Sequence, residues 1–139
     1  FGRPDMVRFK FLKSIINDTP ITIFGDGNQT RDFTYVSDVA EALIKSTKIQ
    51  GYEIYNVGGG SAITVNKLVE ILENYLNKKA KIQNIARDPS DIEHSLADIS
   101  KIQTQLNWYT EYNIEKGINE TVKWFLDNLE FISSIKLQD

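Results

Sequence analysis

The sequence predicts a mixed fold of helices and short strands, α/β in class, or α+β if these residues fold in isolation, with a small mixed sheet against packed helices. Three observations lead to this prediction. Residues 65–76 carry the clearest helical stripe, residues 21–24 form a short β-type run, and the two kinds of segment alternate along the chain. No repeat or low-complexity linker interrupts the 139 residues, so we expect one domain spanning 1–139.

Apolar spacing and punctuating residues define the elements of the first half. A helix from Val7 ends before Pro20, and Asp38 with Glu41 has the spacing of a capping box. Runs of β-branched and aromatic residues favour strands. The expected elements are a helix at Val7–Asn17, strands at Ile21–Phe24, Arg31–Val36 and Ile54–Val57, and a helix from Val39 that buries Ala40, Leu43, Ile44 and Thr47.

Three residues that favour the N-cap position mark helix starts in the second half. Thr64 precedes the strongest stripe, Asp98 precedes a short helix, and Asn113 precedes the last long helix, which continues to Leu129. Between the first two, Lys81–Ile85 is expected to be a strand. A polar loop with Arg87, Pro89 and Asp91 follows it.

Composition excludes several classes of function. Without cysteine the chain has no disulfide or thiolate metal site, and a single histidine excludes a His-rich metal site. The net charge of -3 argues against nucleic-acid binding. No apolar run is long enough to cross a bilayer, and we expect no signal peptide because no charged segment followed by an apolar one opens the sequence. A cytoplasmic protein without a metal fits these features.

Two apparent catalytic motifs are interpreted as structural. His94 lies in a polar stretch away from any nucleophile motif, so we expect a surface or edge residue. Tyr75 and Lys79 have the spacing of the tyrosine–lysine pair of short-chain dehydrogenases. Tyr75 falls on the apolar stripe of its helix, however, so this spacing is attributed to chance.

A glycine turn followed by an arginine is the best candidate site. Gly25–Gly27 permits close backbone approach to a phosphate, and Arg31 can present two donors to a diphosphate. Phe24 offers a face to a planar base, and Gln29 lies close by in sequence. These residues suit a nucleotide diphosphate, and a solvated hairpin is the alternative.

Two further polar or glycine-rich segments accompany this turn. Arg87 suits a phosphate and Asp91 suits ribose hydroxyls, although an exposed charged loop would have the same composition. Gly58–Gly60 is interpreted as a tight turn. No complete G-x-G-x-x-G follows a strand and opens a helix, so the usual dinucleotide fingerprint is absent from the sequence.

The stretch Gly25–Val39 is very similar to a signature of extended short-chain dehydrogenases that act on nucleotide sugars. Four other stretches support the resemblance in the same order, and Arg3–Met6 with Phe9–Phe11 resembles UDP-glucuronate 4-epimerases. The four supporting stretches are Pro20–Phe24, Tyr55–Gly60, Ser95–Lys101 and Leu106–Trp108.

The resemblance implies a role for each matching residue. Thr22–Phe24 would line the uracil, Arg31 would hold the diphosphate, and the loop Arg87–Asp91 would close over ribose and phosphates. Arg3 would lie near the substrate. Asp38 and the segment Gly58–Gly60 would have structural roles. The loop departs from the family pattern, because Ser90 stands where glycine is usual and Arg87 lies four residues before Asp91 rather than three.

The resemblance further implies the C-terminal, UDP-sugar-binding part of an NAD-dependent Rossmann-type 4-epimerase. In the whole enzyme NAD would transiently oxidise C4 of the sugar. The cofactor turn and the catalytic tyrosine–lysine pair would precede Phe1, so we expect no catalytic residue and no bound cofactor in this chain. The start at Phe1 fits a chain entered in mid-protein, and a processed start is the alternative.

The expected partners are a UDP-sugar and the protein's own N-terminal NAD-binding domain. Apolar surface left for that domain would also permit a homodimer. Two alternatives stay open. One is a nucleotide-sugar dehydratase or decarboxylase of the same superfamily, and the other is a non-enzymatic nucleotide-sugar-binding module.

Overall fold

The computed structural model describes residues 6–87 and 89–135, in which helices and short strands alternate as predicted. The elements are α1 (Val7–Ile16), β1 (Ile21–Phe24), β2 (Thr30–Asp32), α2 (Val36–Ser46), β3 (Ala62–Thr64), α3 (Val65–Leu76), β4 (Ile82–Ile85), α4 (Ser100–Leu106), α5 (Ile114–Asp127) and α6 (Leu129–Ser134). No helix among the described residues is long and apolar enough to cross a membrane.

Two small sheets join segments that are distant in sequence. β1 pairs in parallel with β4, with Phe24 opposite Ile85, and β2 pairs antiparallel with β3, with Arg31 opposite Ile63. The carboxyl ends of parallel strands lie at one edge of a sheet. The segments that follow β1 and β4 therefore meet, at the kind of edge where open α/β sheets bind ligands.

The main core packs α1, α3 and α5 around β1. The amphipathic stripe predicted for α3 is buried apart from its end at Tyr75, which is exposed. Two of the three predicted caps form: Thr64 Oγ1 accepts from the Lys67 amide at 3.0 Å and Asn113 Oδ1 from the Lys116 amide at 2.9 Å. The third prediction is wrong, because the N-cap of α4 is Ile99 and not Asp98. Fully buried members of this core include Leu12, Ile15, Ile21, Ile23, Leu68, Leu72, Val122 and Phe125.

A second, smaller core lies under α2 and corrects the prediction for that helix. α2 begins at Val36, so the expected start near Val39 and the Asp38–Glu41 capping box are wrong. Asp38 is buried instead, and its carboxylate accepts from the Thr110 hydroxyl at 2.6 Å and from the Glu111 amide at 3.1 Å. This carboxylate ties α2 to the segment that precedes α5.

The face of α2 that was expected to be buried is exposed. Leu43 and Ile44 keep 65% and 67% of their surface in solvent, whereas Ala42 and Asp38 face inward. The inward side is set by Trp108, which is fully buried and donates its indole N–H to the Asp38 carbonyl at 3.0 Å. The apolar stripe of α2 therefore has no cover among the described residues.

Two strand predictions also need correction, and one strand was not predicted. The strand expected over Arg31–Val36 is limited to Thr30–Asp32, because its partner β3 is three residues long. β3 itself was not predicted, since Ala62–Thr64 is too short to show a pattern. The segment Ile54–Val57 forms no strand among the described residues. Its β-type sequence has no neighbouring strand there to pair with.

Candidate functional site

The carboxyl ends of β1 and β4 bring most of the predicted site residues together. We call this region the β1–β4 edge and define it by Phe24, Gly25, Gln29, Arg31, Arg87 and Asp91. Alternation along β1 buries Ile21 and Ile23 and leaves Thr22 and Phe24 on the outer side. The Phe24 side chain is 46% exposed, so its ring is open to a planar ligand.

The glycine turn after β1 has a backbone that requires glycine. Gly25 and Gly27 have φ values of +71° and +78°, in the left-handed region. A Cβ on Gly27 would lie 2.1 Å from Asn66 Oδ1, and the Asn66 amide group donates to the Asp26 carbonyl at 2.9 Å. The turn is thus fixed by its own dihedral angles and by the start of α3.

Two amide side chains stabilise this turn by donating hydrogen bonds to its backbone carbonyls. Gln29 is buried and donates from Nε2 to the Phe24 carbonyl at 2.9 Å. Asn84 of β4 donates to the Gly25 carbonyl at 2.8 Å. Sequence reasoning missed Asn66 and Asn84, because neither the parallel pairing of β4 nor the contact with α3 leaves a signal in the sequence.

Arg31 lies in the middle of β2 with its guanidinium directed to the loop after β4. Its Nη1 donates to the Thr30 carbonyl at 2.8 Å, and its Nη2 donates to Asp91 Oδ1 at 2.5 Å. The side chains of Arg31 and Asp91 are 26% and 31% exposed. This ion pair lies at the surface, where a ligand can reach it.

Arg87 also contacts Asp91, through the backbone carbonyl of that residue. Its Nη2 donates to the Asp91 carbonyl at 3.0 Å, and its Nη1 lies 3.7 Å from Glu93 Oε2. The aliphatic stem of Arg87 runs over the glycine turn, 3.5 Å from where a Gly25 Cβ would stand. Arg87 lies one residue farther from Asp91 in sequence than the family pattern has it, yet it contacts the same residue that Arg31 binds.

The end of this loop is anchored on β2. The Thr30 amide donates to the Glu93 carbonyl at 2.9 Å, and the Ser95 amide donates to the Thr30 carbonyl at 3.2 Å. His94 is exposed, and its Nδ1 lies 3.1 Å from the Thr30 hydroxyl. The prediction that His94 is a surface or edge residue is confirmed.

The charge at the edge is balanced by acidic groups. The Asn28 amide N–H, and after it the Asn28 side chain, hold the pKa of Asp26 below its usual value, and Arg87 adds to this effect. Asp26 is therefore ionised at neutral pH near Arg87. The described residues hold no group of three acidic or histidine side chains placed to bind a metal ion.

The other glycine-rich segment has a structural role. The Gly59 amide donates to Asp32 Oδ1 at 2.7 Å, and a Cβ on Gly58 would lie 2.5 Å from Asp32 Oδ2. Gly58–Gly60 therefore packs against β2 and does not open a helix. This geometry does not fit the dinucleotide turn that holds NAD, so we assign no residue of this segment to that cofactor.

Arg3 lies outside the described residues. The contacts of Tyr75 and Lys79 involve no residue of the edge. Tyr75 donates its hydroxyl to the Glu115 carbonyl at 3.3 Å, and Lys79 pairs with Glu73 at 2.6 Å. These contacts agree with the interpretation of Tyr75 and Lys79 as a chance spacing.

An apolar cleft of about 350 Å³ lies between α1, α5 and the segment that joins β2 to α2. Tyr35 and Tyr112 stack at its rim with ring centroids 4.3 Å apart, and burial raises the pKa of Tyr35. Lys116 lies over the Tyr112 ring at 3.9 Å. The residues that line the cleft do not include those of the β1–β4 edge.

Comparison with known proteins gives a consistent result. The family model described as GDP-mannose 4,6 dehydratase matches residues 9–121. A UDP-glucuronate 4-epimerase of Thermodesulfobacterium geofontis is 49% identical over 137 residues, which are 98% of this chain and 42% of that protein. The chain thus spans about two fifths of the length of the curated relatives it matches.

Solved structures agree with the sequence matches. MoeE5 in complex with UDP-glucose and NAD superposes with a TM-score of 0.88 at 28% identity, over 92% of this chain and 44% of the other. The UDP-glucuronic acid 4-epimerase of Bacillus cereus, in complex with UDP-glucuronic acid and NAD, gives 0.85 at 29% identity, over 91% and 41%. The fold is that of the C-terminal portion of Rossmann-type epimerases.

Proposed function

Since the chain belongs to the family described as GDP-mannose 4,6 dehydratase, with UDP-sugar 4-epimerases among its relatives, we propose that it is the UDP-sugar-binding part of an NAD-dependent 4-epimerase. One observation carries the proposal. The β1–β4 edge combines an open aromatic face at Phe24, a glycine turn, and two arginines that converge on Asp91. These are the groups that a nucleoside diphosphate requires.

Each group has a role in this proposal. Thr22 and Phe24 receive the uracil, Arg31 and Arg87 bind the diphosphate, and Asp91 faces the ribose. Gln29 contributes indirectly, because its hydrogen bond to the Phe24 carbonyl fixes the strand end that carries the aromatic ring. The assignment of Arg3 to the sugar stays a prediction from the sequence resemblance.

The chemistry of such an enzyme is a transient oxidation at C4 of the sugar, which NAD supplies when bound. The residues of the β1–β4 edge hold the remote UDP group, and binding energy gained there positions the sugar for reaction elsewhere. We propose that the groups that bind NAD and transfer the proton come from residues outside these 139. On this proposal the chain by itself is inactive.

The cofactor-binding part is also the proposed partner of the exposed side of α2. We call this side the α2 face and define it by Val36, Leu43 and Ile44, whose side chains are 65–68% exposed. Neighbouring apolar side chains at this exposure are typical of a surface that packs on another domain. In the chain alone the same face would favour self-association.

Calorimetric titration with UDP tests the central proposal. Replacing Arg31 by Gln removes a charge-assisted contact to the diphosphate and is expected to weaken UDP binding about tenfold or more. Lys101→Gln is the matched control, because it removes a cation whose 2.8 Å ion pair with Glu53 involves no residue of the β1–β4 edge. Equal UDP affinity in the parent and Arg31→Gln would contradict the proposal.

A 4,6-dehydratase is the second candidate, and the description of the matching family favours it. Both reactions begin with oxidation at C4 and use the same nucleotide site. The reaction product of the longer protein distinguishes them. A sugar changed only in configuration at C4 indicates an epimerase, and a 4-keto-6-deoxy sugar indicates a dehydratase.

A further inference from the structure

Asp91 is a group that a simple anion-binding site would not contain. Its carboxylate accepts from Arg31 at 2.5 Å, and the second arginine, Arg87, lies 3.7 Å from the carboxylate of Glu93. Two guanidinium groups thus face two carboxylates. Both arginines of the β1–β4 edge therefore have a nearby carboxylate before any ligand binds.

A diphosphate that binds Arg31 would use a guanidinium to which the Asp91 carboxylate is already hydrogen-bonded. The Nη1 group of Arg31 donates to the Thr30 carbonyl at 2.8 Å, and its Nη2 group donates to Asp91. A bidentate contact with a phosphate uses two guanidinium N–H groups on one side of the fork. A phosphate that binds a second N–H of Nη2 or the Nε N–H would lie close to the Asp91 carboxylate, and repulsion between the two anions favours release of that carboxylate.

The exposure of the pair makes such an exchange feasible. The side chains are 26% and 31% exposed, so water can solvate the carboxylate that is released. Arg31 would keep its place during the exchange, because β2 pairs with β3 on either side of it and the Thr30 carbonyl still holds Nη1. The cost of breaking a partly exposed ion pair is small compared with that of a buried one.

We propose that Asp91 competes with the diphosphate for Arg31 and so sets the affinity and release of the nucleotide. The inference rests on the proposed function, since it needs a diphosphate at this edge. Asp91 keeps the guanidinium oriented while the site is empty and takes it back when the nucleotide leaves. The alternative role is a fixed brace, in which Asp91 only orients Arg31 and a phosphate adds to an undisturbed pair.

The two roles predict opposite effects of Asp91→Asn on the binding of inorganic pyrophosphate. Pyrophosphate is the probe because it has neither base nor ribose, so a lost ribose contact cannot affect the result. Competition predicts that Asp91→Asn binds pyrophosphate about three- to fivefold more tightly, as expected for removing one charge from a partly exposed pair. A fixed brace predicts equal or weaker binding.

Three further variants complete the titration. Glu53→Gln is the matched control, because it removes one carboxylate from the Lys101 ion pair and should leave pyrophosphate affinity unchanged. Arg31→Gln should weaken pyrophosphate binding. In the protein that already carries Arg31→Gln, adding Asp91→Asn should change the affinity little, because the two residues act on the same interaction in a double-mutant cycle. Thermal melting of each variant shows whether the fold is retained.

The outcomes separate this inference from the proposed function. If Asp91→Asn binds pyrophosphate no more tightly than the parent while Arg31→Gln binds it less tightly, the competition is wrong and the diphosphate site stands. If Arg31→Gln binds both pyrophosphate and UDP like the parent, the proposed function fails and the inference fails with it. Tighter binding by Asp91→Asn and by Glu53→Gln alike would indicate net charge alone and would also overturn the competition.

Discussion

The β1–β4 edge and the α2 face differ in how fully this chain provides their partners. At the edge, the turn carbonyls of Phe24 and Gly25 accept hydrogen bonds from Gln29 and Asn84, and Arg31 forms an ion pair with Asp91. At the α2 face, three apolar side chains stay in solvent, and the β-type segment 54–57 pairs with no strand of the described residues. The same chain thus contains a polar site whose supporting contacts come from its own residues and an apolar surface that none of the described residues covers.

The inner side of α2 gives the largest expected effect on stability. Asp38→Ala would leave the Glu111 and Tyr112 amides without their acceptor and would remove the closer of two acceptors of the Thr110 hydroxyl, and we expect a loss of about 3 kcal/mol in the free energy of unfolding. Chemical denaturation measures it. Glu41→Ala on the same helix breaks only a surface pair with Lys45 and should cost less than about 0.5 kcal/mol. Similar losses in both variants would mean that α2 is not held through Asp38.

The glycine turn gives the next effect and tests the rigidity of the β1–β4 edge. Gly27→Ala combines a positive φ with a Cβ that would overlap Asn66, and we expect a loss of about 2–3 kcal/mol in unfolding free energy. Gly51→Ala is the control, because its φ is +88° and no atom lies within 4 Å of the added Cβ. It should lose only about 1 kcal/mol. Equal losses at the two positions would show that the contact with Asn66 contributes nothing.

Much of this contrast could be predicted from the sequence, and the exceptions have a common physical cause. The glycine turn and Arg31 were predicted because these parts of the edge lie within a few residues of one another in sequence. For α2 the spacing correctly gave an amphipathic helix, but burial was assigned to the wrong side. Trp108 and Asp38 define the inner side, and contacts over 70 positions leave no local pattern.

The predicted strand at Ile54–Val57 failed for a related reason. β propensity describes how a segment fits beside other strands, and it cannot provide the neighbour. The parallel pairing of β1 with β4 was invisible for the same reason, so Asn84 could not be assigned to the site. Thus sequence reasoning located the turn and the arginines, and only the fold showed which polar groups support them.

The α2 face gives a smaller effect on stability, although a clear one on association. Leu43→Lys replaces a side chain that is 65% exposed, so the free energy of unfolding should change by no more than about 0.5 kcal/mol. Self-association measured by analytical ultracentrifugation should decrease. A loss of several kcal/mol without any change in association would indicate that Leu43 belongs to this chain's own core.

The smallest expected effect concerns pH. The pKa of Asp26 is lowered by its hydrogen bonds from Asn28, so its contribution to stability is complete above the usual value of 3.8 and is lost as the pH falls through its lower folded value. Melting temperatures measured from neutral to strongly acidic pH should therefore fall slightly more in the parent than in Asp26→Asn. The reverse order would contradict a stabilising contribution from the hydrogen bonds that Asn28 donates to Asp26.

The most direct test of the central claim is a residue-resolved map of UDP binding by amide chemical shifts. We expect the largest shifts at Phe24, Gly25, Arg31 and Arg87, at the β1–β4 edge. The amides of Leu43 and Ile44 on the α2 face should be unaffected. Shifts concentrated on α2, or around the Tyr35–Tyr112 cleft, would contradict the assignment of the nucleotide site.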